Sequence, residues 1–245
     1  MTGDDAMPLP PHTVRSYDQE LRHLRELVAR MGGLAERQVA DATVALIRRD
    51  TELAAEVVER DAEIDRIERE IEAFCVRLLA LRQPVARDLR LVVAALKVAH
   101  ELGRVGDYAK NGAKRAITLA AQPPLGSMNG FGRMARLVQE NLKGAIDALV
   151  GDDAARAREV WRSDESVDEI YNGIFREMLT HMMEDPRNIT AGTHLLFVAK
   201  NLERIGDHAT NIAETVHYAV RGEALPEDRP KADTSAEAAA APPAP

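Results

Sequence analysis

The sequence predicts an all-α protein made of two repeated three-helix bundles. Apolar side chains recur at intervals of three and four residues, as at Ile64, Ile67, Ile71 and Cys75, which is the spacing of one face of an amphipathic helix. Sustained alternation of polar and β-branched residues, which is typical of strands, is missing. A polar motif also returns 100 positions later, and this repetition indicates a duplicated unit.

Prolines divide the chain into six predicted helices. Pro84, the pair Pro123-Pro124 and Pro186 interrupt the helical pattern, because proline lacks a backbone donor and disfavours helical geometry in the residue before it. In chain order, the predicted helices cover residues 16–48, 51–82 and 87–121 in the first half and 131–150, 153–184 and 188–220 in the second.

Other residues mark the helix starts and the domain boundaries. Asp50 and Asp153 precede the second helix of each half, where a carboxylate can accept free backbone N–H groups. The longest interior loop signal is the segment QPPLGSMNG. The predicted domains are a flexible start (1–15), a first repeat (16–121), this linker (122–130), a second repeat (131–222) and a disordered Pro/Ala-rich tail (223–245).

Two pairs of segments carry the repeat. AAEVVERDAEID at 54–65 aligns with AREVWRSDESVD at 157–168, and HELGRVGDYAKNGAK at 100–114 aligns with NLERIGDHATNIAE at 201–214. The glycine of each polar motif lies in mid-helix, where glycine is unfavourable, so we expect a neighbouring helix to approach closely there. The shared residues of the polar motif are Arg104, Gly106 and Asn111 in the first repeat and Arg204, Gly206 and Asn211 in the second.

The composition argues against several classes of protein. A formal net charge of −8 over 245 residues disfavours nucleic-acid binding, because an acidic surface repels phosphodiester backbones. The one cysteine, Cys75, cannot form an internal disulfide and lies on an apolar helix face, where we expect a core thiol. No apolar run reaches the roughly 20 residues of a membrane span, and the start lacks the pattern of a secretory signal. We therefore expect a soluble, cytoplasmic protein.

Acidic residues form rows on helices of both repeats. Neighbours in a row are three or four residues apart, so their side chains lie within about 6 Å and repel one another. Carboxylates without cysteine suit Mg, Ca, Mn or Fe ions. The open alternative is a solvated face in which Arg104 and Arg204 form salt bridges. The candidate metal ligands are Asp61, Asp65, Glu101 and Asp107 in the first repeat and Asp164, Asp168, Glu203 and Asp207 in the second.

Several motifs are together typical of one known family. They are ERIGDHATNIAE at 203–214, GRVGDYAKN at 103–111 and RQPVARDLR at 82–90. With the opening helix, they resemble the PhoU family of bacterial regulators of phosphate-specific transport. The resemblance implies two similar three-helix bundles and metal clusters, of Fe, Mn, Mg or Zn, held by motifs of the form E/D-x-x-x-D. Asp61/Asp65, Asp164/Asp168 and Glu203/Asp207 match that form.

The first repeat departs from the family motif at one position. Gly103 stands where a glutamate would pair with Asp107, and Glu101, near the start of the same motif, is the candidate replacement.

The resemblance implies regulation rather than catalysis. Members of the family dampen the phosphate-starvation response and are thought to link the ATPase of a phosphate ABC transporter to a sensor histidine kinase. The same resemblance implies a homodimer that reaches the membrane only through its partners. A nucleotide-binding loop of the form G-x-x-x-x-G-K-[ST] is absent from the sequence, which fits this interpretation.

A ferritin-like di-iron oxidoreductase is the alternative from another class. Such proteins use Glu-x-x-His pairs on two helices, and the chain contains Glu20–His23 and Glu214–His217. The two pairs are not related by the repeat, so we interpret them as chance matches.

Overall fold

The chain is helical, with no strand within residues 11–226. The computed structural model describes these residues, and their side chains from residue 16 onward. The helices are α1 (Pro11–Arg48), α2 (Thr51–Arg82), α3 (Ala86–Ala120), α4 (Asn129–Gly151), α5 (Ala154–Arg162), α6 (Asp164–Glu184) and α7 (Ile189–Arg221), with a 3₁₀ turn at Pro186–Asn188. This architecture confirms the prediction of an all-α fold.

Both predicted N-caps are present. The Oδ1 atom of Asp50 accepts a hydrogen bond of 2.9 Å from the backbone N–H of Leu53. The Oδ1 atom of Asp153 accepts bonds of 3.0 Å from the N–H groups of Ala155 and Arg156. Each carboxylate therefore satisfies backbone donors that the first turn of a helix leaves free.

The ends of the described chain differ in part from the predicted boundaries. Helix α1 begins at Pro11, earlier than the predicted residue 16, and a proline is well tolerated in a first helical turn. Helix α7 ends at Arg221, and Gly222 follows with a φ of 77°, a left-handed conformation that suits glycine. Residues 1–10 and 227–245, which include most of the predicted disordered tail, lie outside the described residues.

The prediction of one helix over residues 153–184 is wrong, because the structure has two helices there, separated at Ser163. The hydroxyl oxygen of Ser163 lies 2.7 Å from the carbonyl oxygen of Val160 and 2.7 Å from the side-chain oxygen of Asn141, and its one proton can be donated to either. A serine that bonds to nearby backbone competes with the helical hydrogen-bond pattern. Helix α5 therefore ends at Arg162, and α6 starts at Asp164, one of the candidate ligands.

The two repeats form one body through α3 and α7. Helices α1 to α3 pack together, as do α4 to α7, and α3 lies against α7. These two helices run antiparallel: Arg90 near the start of α3 donates to the carbonyl of Ala219 near the end of α7 at 3.2 Å. At their other ends, Arg115 Nη1 lies 3.2 Å from His194 Nδ1. The grouping of α1–α3 and of α4–α7 confirms the prediction of two repeated bundles. One continuous apolar core runs through both of them.

The apolar residues of the helices serve this core. No helix within residues 11–226 is long and apolar enough to cross a lipid bilayer. Cys75 is completely buried, and burial raises the pKa of its thiol to about 12. The expectation of a core thiol is confirmed, because a thiol that stays protonated is a poor nucleophile.

Candidate functional site

One lysine joins helices α2 and α3 on the acidic surface of the first repeat. The first acidic face consists of Asp61, Asp65 and Glu68 of α2 and Asp107 of α3. The Nζ atom of Lys110 donates to Asp61 Oδ2 and, at 3.2 Å, to Asp107 Oδ1. The hydrogen bond to Asp61, opposed by burial and reinforced by Asp107, raises the pKa of Lys110. The ammonium group therefore stays charged and offsets one of the two negative charges of this pair of carboxylates.

Asp61 is a buried member of this face, only 4% exposed. Its second oxygen, Oδ1, accepts a hydrogen bond of 3.1 Å from the side-chain amide of Gln38 on α1. A buried carboxylate is tolerated where its charge is paired and its oxygens are hydrogen-bonded. All three helices of the repeat therefore contribute to holding Asp61.

Glu68 occupies the space beside Gly103. A Cβ atom at position 103 would collide with Glu68 Oε2, so the glycine leaves room for a carboxylate that comes from α2. Burial raises the pKa of Glu68, and the charges of Asp65 and Asp107 add to this, while His100 opposes them. The distance from His100 Nδ1 to Glu68 Oε1 is 3.5 Å. Glu68 was not among the candidate ligands, although it belongs to the acidic row of α2.

Glu101 lies in the contact between the two repeats. Its Oε2 atom accepts a hydrogen bond of 3.1 Å from Asn211 and lies 2.5 Å from Nδ1 of His208, both on α7. Burial by itself would raise the pKa of Glu101, but the hydrogen bonds from His208 and Asn211 outweigh it and lower the pKa. The carboxylate beside Gly103 is thus Glu68, while Glu101 joins α3 to α7.

The second repeat arranges the equivalent residues differently. The second acidic face consists of Asp164 and Asp168 of α6 and Glu203 and Asp207 of α7. Asp164, Asp168 and Glu203 are buried. The hydroxyl of Thr210 donates to Asp164 Oδ1 at 3.1 Å. Three of the four acids of the second face are therefore buried, whereas on the first face Asp61 is buried, Glu68 and Asp107 are half-buried and Asp65 is exposed.

Glu203 has a partner at only one of its two oxygens. Lys200 Nζ donates to Oε1 at 2.8 Å and also lies 4.9 Å from the ring centre of Tyr171. The other oxygen, Oε2, is buried without a hydrogen bond, and Arg204 Nε lies 3.9 Å from it. Burial raises the pKa of Glu203, and the charge of Asp207 adds to the rise, against the hydrogen bond from Lys200.

One carboxylate comes from a different helix of the pair in each of the two faces. In the first repeat α2 supplies Glu68 and α3 has Gly103, whereas in the second repeat α6 has Tyr171 and α7 supplies Glu203. Each repeat therefore carries one carboxylate at this place, from opposite sides of the helix pair.

The repeated glycines serve packing, as predicted. A Cβ atom at Gly106 would lie 3.1 Å from Ile64 Cδ1, and one at Gly206 would lie 3.2 Å from Val167 Cγ1. The repeated arginines are exposed: Arg104 donates to Asp107 at 3.3 Å, and Arg204 lies beside Glu203. Of the repeated asparagines, Asn211 bonds to Glu101, whereas Asn111 is exposed.

The fit of a metal ion differs between the two faces. Within residues 11–226, no group of three or more histidine, cysteine, aspartate or glutamate side chains is arranged to hold a metal ion. On the first face the ammonium of Lys110 lies between Asp61 and Asp107, so these residues do not fit a metal as they stand. On the second face Oε2 of Glu203 is buried without a hydrogen bond and the negative charge of Asp207 acts on it, so these two carboxylates fit a hard cation.

The Glu-x-x-His pairs have other partners. Glu20 forms an ion pair of 2.8 Å with Arg82, and Glu214 accepts a hydrogen bond of 3.0 Å from Trp161. Nδ1 of His217 lies 3.1 Å from the carbonyl of Glu223. These contacts do not support the di-iron alternative.

Fold and site together define a class: duplicated helical-bundle proteins in which two helices of each repeat bring a group of carboxylates together. The PhoU domain family matches residues 28–116 and 131–216, which are the two repeats. The chain belongs to the PhoU family.

Individual relatives agree with this assignment. A phosphate-specific transport system accessory protein PhoU homolog from Caulobacter vibrioides is 56% identical over 91% of this chain and 97% of its own length. The crystal structure of PhoU from Pseudomonas aeruginosa covers 84% of this chain and 100% of its own, with a TM-score of 0.81 and 44% identity. The phosphate transport system regulatory protein PhoU from Streptococcus pneumoniae has a TM-score of 0.80 at 29% identity, covering 86% of this chain and 99% of its own.

Proposed function

We propose that this chain is an accessory protein of a phosphate-specific transport system that restrains phosphate uptake and phosphate-starvation signalling. The observation that carries the proposal is the match to the Caulobacter vibrioides homolog, which extends over 97% of that protein's length and includes both repeats. The similar Streptococcus pneumoniae protein, a phosphate transport system regulatory protein with the same fold, gives further support.

The proposed role is adaptor rather than enzyme. The partners are the ATPase of the phosphate ABC transporter and a phosphate-sensing histidine kinase, which places the chain in the cytoplasm and at the membrane only through those partners. A homodimer is part of the same proposal. Two similar helical repeats joined in one body suit an adaptor, because they offer separate helical faces on one rigid support.

A metal ion belongs to this proposal only on the second acidic face. Glu203 and Asp207 of α7 would hold it. The support is the buried Oε2 of Glu203, which has no hydrogen-bond donor. A bound Fe, Mn, Mg or Zn ion would supply positive charge beside the buried carboxylate of Glu203.

Deletion and restoration of the gene test the regulatory role. Alkaline phosphatase activity and phosphate uptake are measured in phosphate-rich medium in the parent, the deletion strain and strains that express restored variants. We expect both activities to rise on deletion and to fall on restoration. A second deletion, of the sensor kinase gene, should abolish the rise in phosphatase; unchanged phosphatase and uptake in the first deletion would contradict the proposal.

Restored variants test the second acidic face. Glu203→Gln with Asp207→Asn is expected to restore repression less well than the unaltered gene. The matched control is Asp147→Asn, which removes a carboxylate of α4 that pairs with Lys143 and Arg156 away from both faces. Equal repression by both variants, at equal protein level, would show that the second face is not needed for regulation.

A further inference from the structure

Three pairs of equivalent positions compare the two acidic faces directly. Asp61 corresponds to Asp164 and Asp107 to Asp207, and both pairs are aspartates. The third position differs in charge, because Lys110 of the first repeat corresponds to Thr210 of the second. The same buried aspartate thus receives an ammonium group in one repeat and a neutral hydroxyl in the other.

We propose that the ammonium of Lys110 is the permanent cation of the first acidic face and takes the place that a metal ion would occupy, so that this face is independent of metal. The proposal deepens the proposed function by restricting any metal to the second face.

The contacts of Lys110 are those that a bridging cation makes. Its Nζ atom bonds to a carboxylate of α2, Asp61, and to a carboxylate of α3, Asp107, and so joins the two helices. The other oxygen of Asp61 is taken by Gln38. A metal ion could reach this pair only by displacing the amine, which its two hydrogen bonds hold in place.

Other carboxylates of the first face also have basic neighbours on α3. Arg104 donates to the second carboxylate oxygen of Asp107 at 3.3 Å. His100 lies 3.5 Å from Glu68. Lys110 and Arg104 therefore offset part of the negative charge of the face, which reduces the attraction that it offers to an external ion.

The second face has no such cation at position 210. Thr210 is completely buried and donates its hydroxyl to Asp164 and, besides, lies 3.2 Å from the carbonyl of Gly206. Lys200 reaches Oε1 of Glu203 from the preceding turn but leaves Oε2 without a hydrogen bond. An oxygen of this kind is costly to bury, and an added cation on this face would relieve that cost.

The competing interpretation is that Lys110 forms a plain salt bridge that yields to metal whenever metal is present. The two interpretations differ in one respect that can be measured, which is whether the first face binds metal while Lys110 is in place.

The experiment isolates the first face in the full-length chain. In a background of Glu203→Gln and Asp207→Asn, Mn²⁺ binding is measured by equilibrium dialysis and by the change in Tm with and without Mn²⁺. Three proteins are compared: the background itself, the background with Lys110→Thr, which installs the residue of the second repeat, and the background with Lys110→Arg, the matched control that keeps the charge.

We expect the background and the Lys110→Arg protein to bind no Mn²⁺ and to show no change in Tm. The Lys110→Thr protein should bind Mn²⁺ saturably, and its Tm should rise with the ion. Folding of this variant only in the presence of Mn²⁺ would support the proposal equally. Mn²⁺ binding by the background protein would overturn it, and this result does not depend on whether Lys110→Thr folds.

A folded Lys110→Thr protein that does not bind Mn²⁺ would also overturn the proposal, because removal of the lysine would then not have opened a metal site. The outcome is separate from that of the proposed function. Failure of the deletion strain to change phosphate uptake would leave the Mn²⁺ comparison intact, and Mn²⁺ binding by the background would leave the role in phosphate uptake intact.

Discussion

Replacing Lys110 by methionine should destabilise the protein more than the loss of any surface ion pair. Its side chain is 23% exposed and that of Asp61 is 5% exposed, so the pair lies between a buried and a surface ion pair. Breaking a buried pair costs about 3–5 kcal/mol, whereas an exposed pair contributes about 0–1 kcal/mol. We expect Lys110→Met to lower the free energy of unfolding by about 2–3 kcal/mol.

Most of that loss comes from the charge that is left behind. Asp61 would keep only the amide of Gln38 as a partner, in a place where an unpaired carboxylate is poorly solvated. Adding Asp61→Asn removes this charge, so the double variant should be more stable than the sum of the two single losses predicts, by about 1 kcal/mol or more.

Urea unfolding at neutral pH measures these values, and Tm should fall by about 4–12 °C in the single variant. The matched control is Lys143→Met, which removes one partner of an exposed pair on α4, with side chains 61% and 36% exposed. An equal and small loss in Lys110→Met and Lys143→Met, or strict additivity with Asp61→Asn, would refute the argument that Lys110 neutralises a buried charge.

Three further predictions concern other contacts. Glu101→Gln should lower the stability by about 1–2 kcal/mol at pH 7 through loss of a charged hydrogen bond to His208. Because the folded-state pKa of Glu101 is lowered, the stability that its charge contributes is lost as the pH falls through that pKa. The difference in free energy of unfolding between the parent and the variant should therefore be smaller at pH 4 than at pH 7. Gly206→Ala should cost about 1–3 kcal/mol, since its Cβ would lie 3.2 Å from Val167; adding Val167→Ala should recover part of the loss, and no recovery would place the strain elsewhere. Cys75 should react with a thiol reagent at pH 8 only after denaturant is added, and rapid reaction of the native chain would contradict its burial.

Periodicity was sufficient to predict the helices and the duplication, because both follow from local spacing. The break at Ser163 was missed for a physical reason: serine is only mildly unfavourable inside a helix, and its hydroxyl ends the helix here with the help of Asn141, a residue of α4. The interruption depends on a tertiary contact that the local sequence does not contain.

The acidic residues were found from the sequence, but their grouping was not. Gly103 was interpreted as a missing carboxylate, and the sequence places Glu101 only two positions away. The structure shows that α2 fills this space with Glu68 and that Glu101 faces α7. Which side chain fills a gap depends on how helices pack, and neither helical spacing nor the offset between repeats encodes that.

Because α3 and α7 pack antiparallel, the two repeats of the chain are arranged like the two subunits of a symmetric dimer. These helices hold equivalent places in their repeats, and two equivalent helices that meet antiparallel are related by a two-fold rotation. A protein of one repeat would leave this helix face uncovered, and two copies would cover it by pairing in the same way, as isologous dimers do. The linker at 121–128 makes such a pairing permanent. Because the two halves belong to one chain, each can also change in sequence independently of the other. Lys110 in the first repeat and Thr210 at the equivalent position of the second are a difference of this kind, which two identical subunits could not acquire.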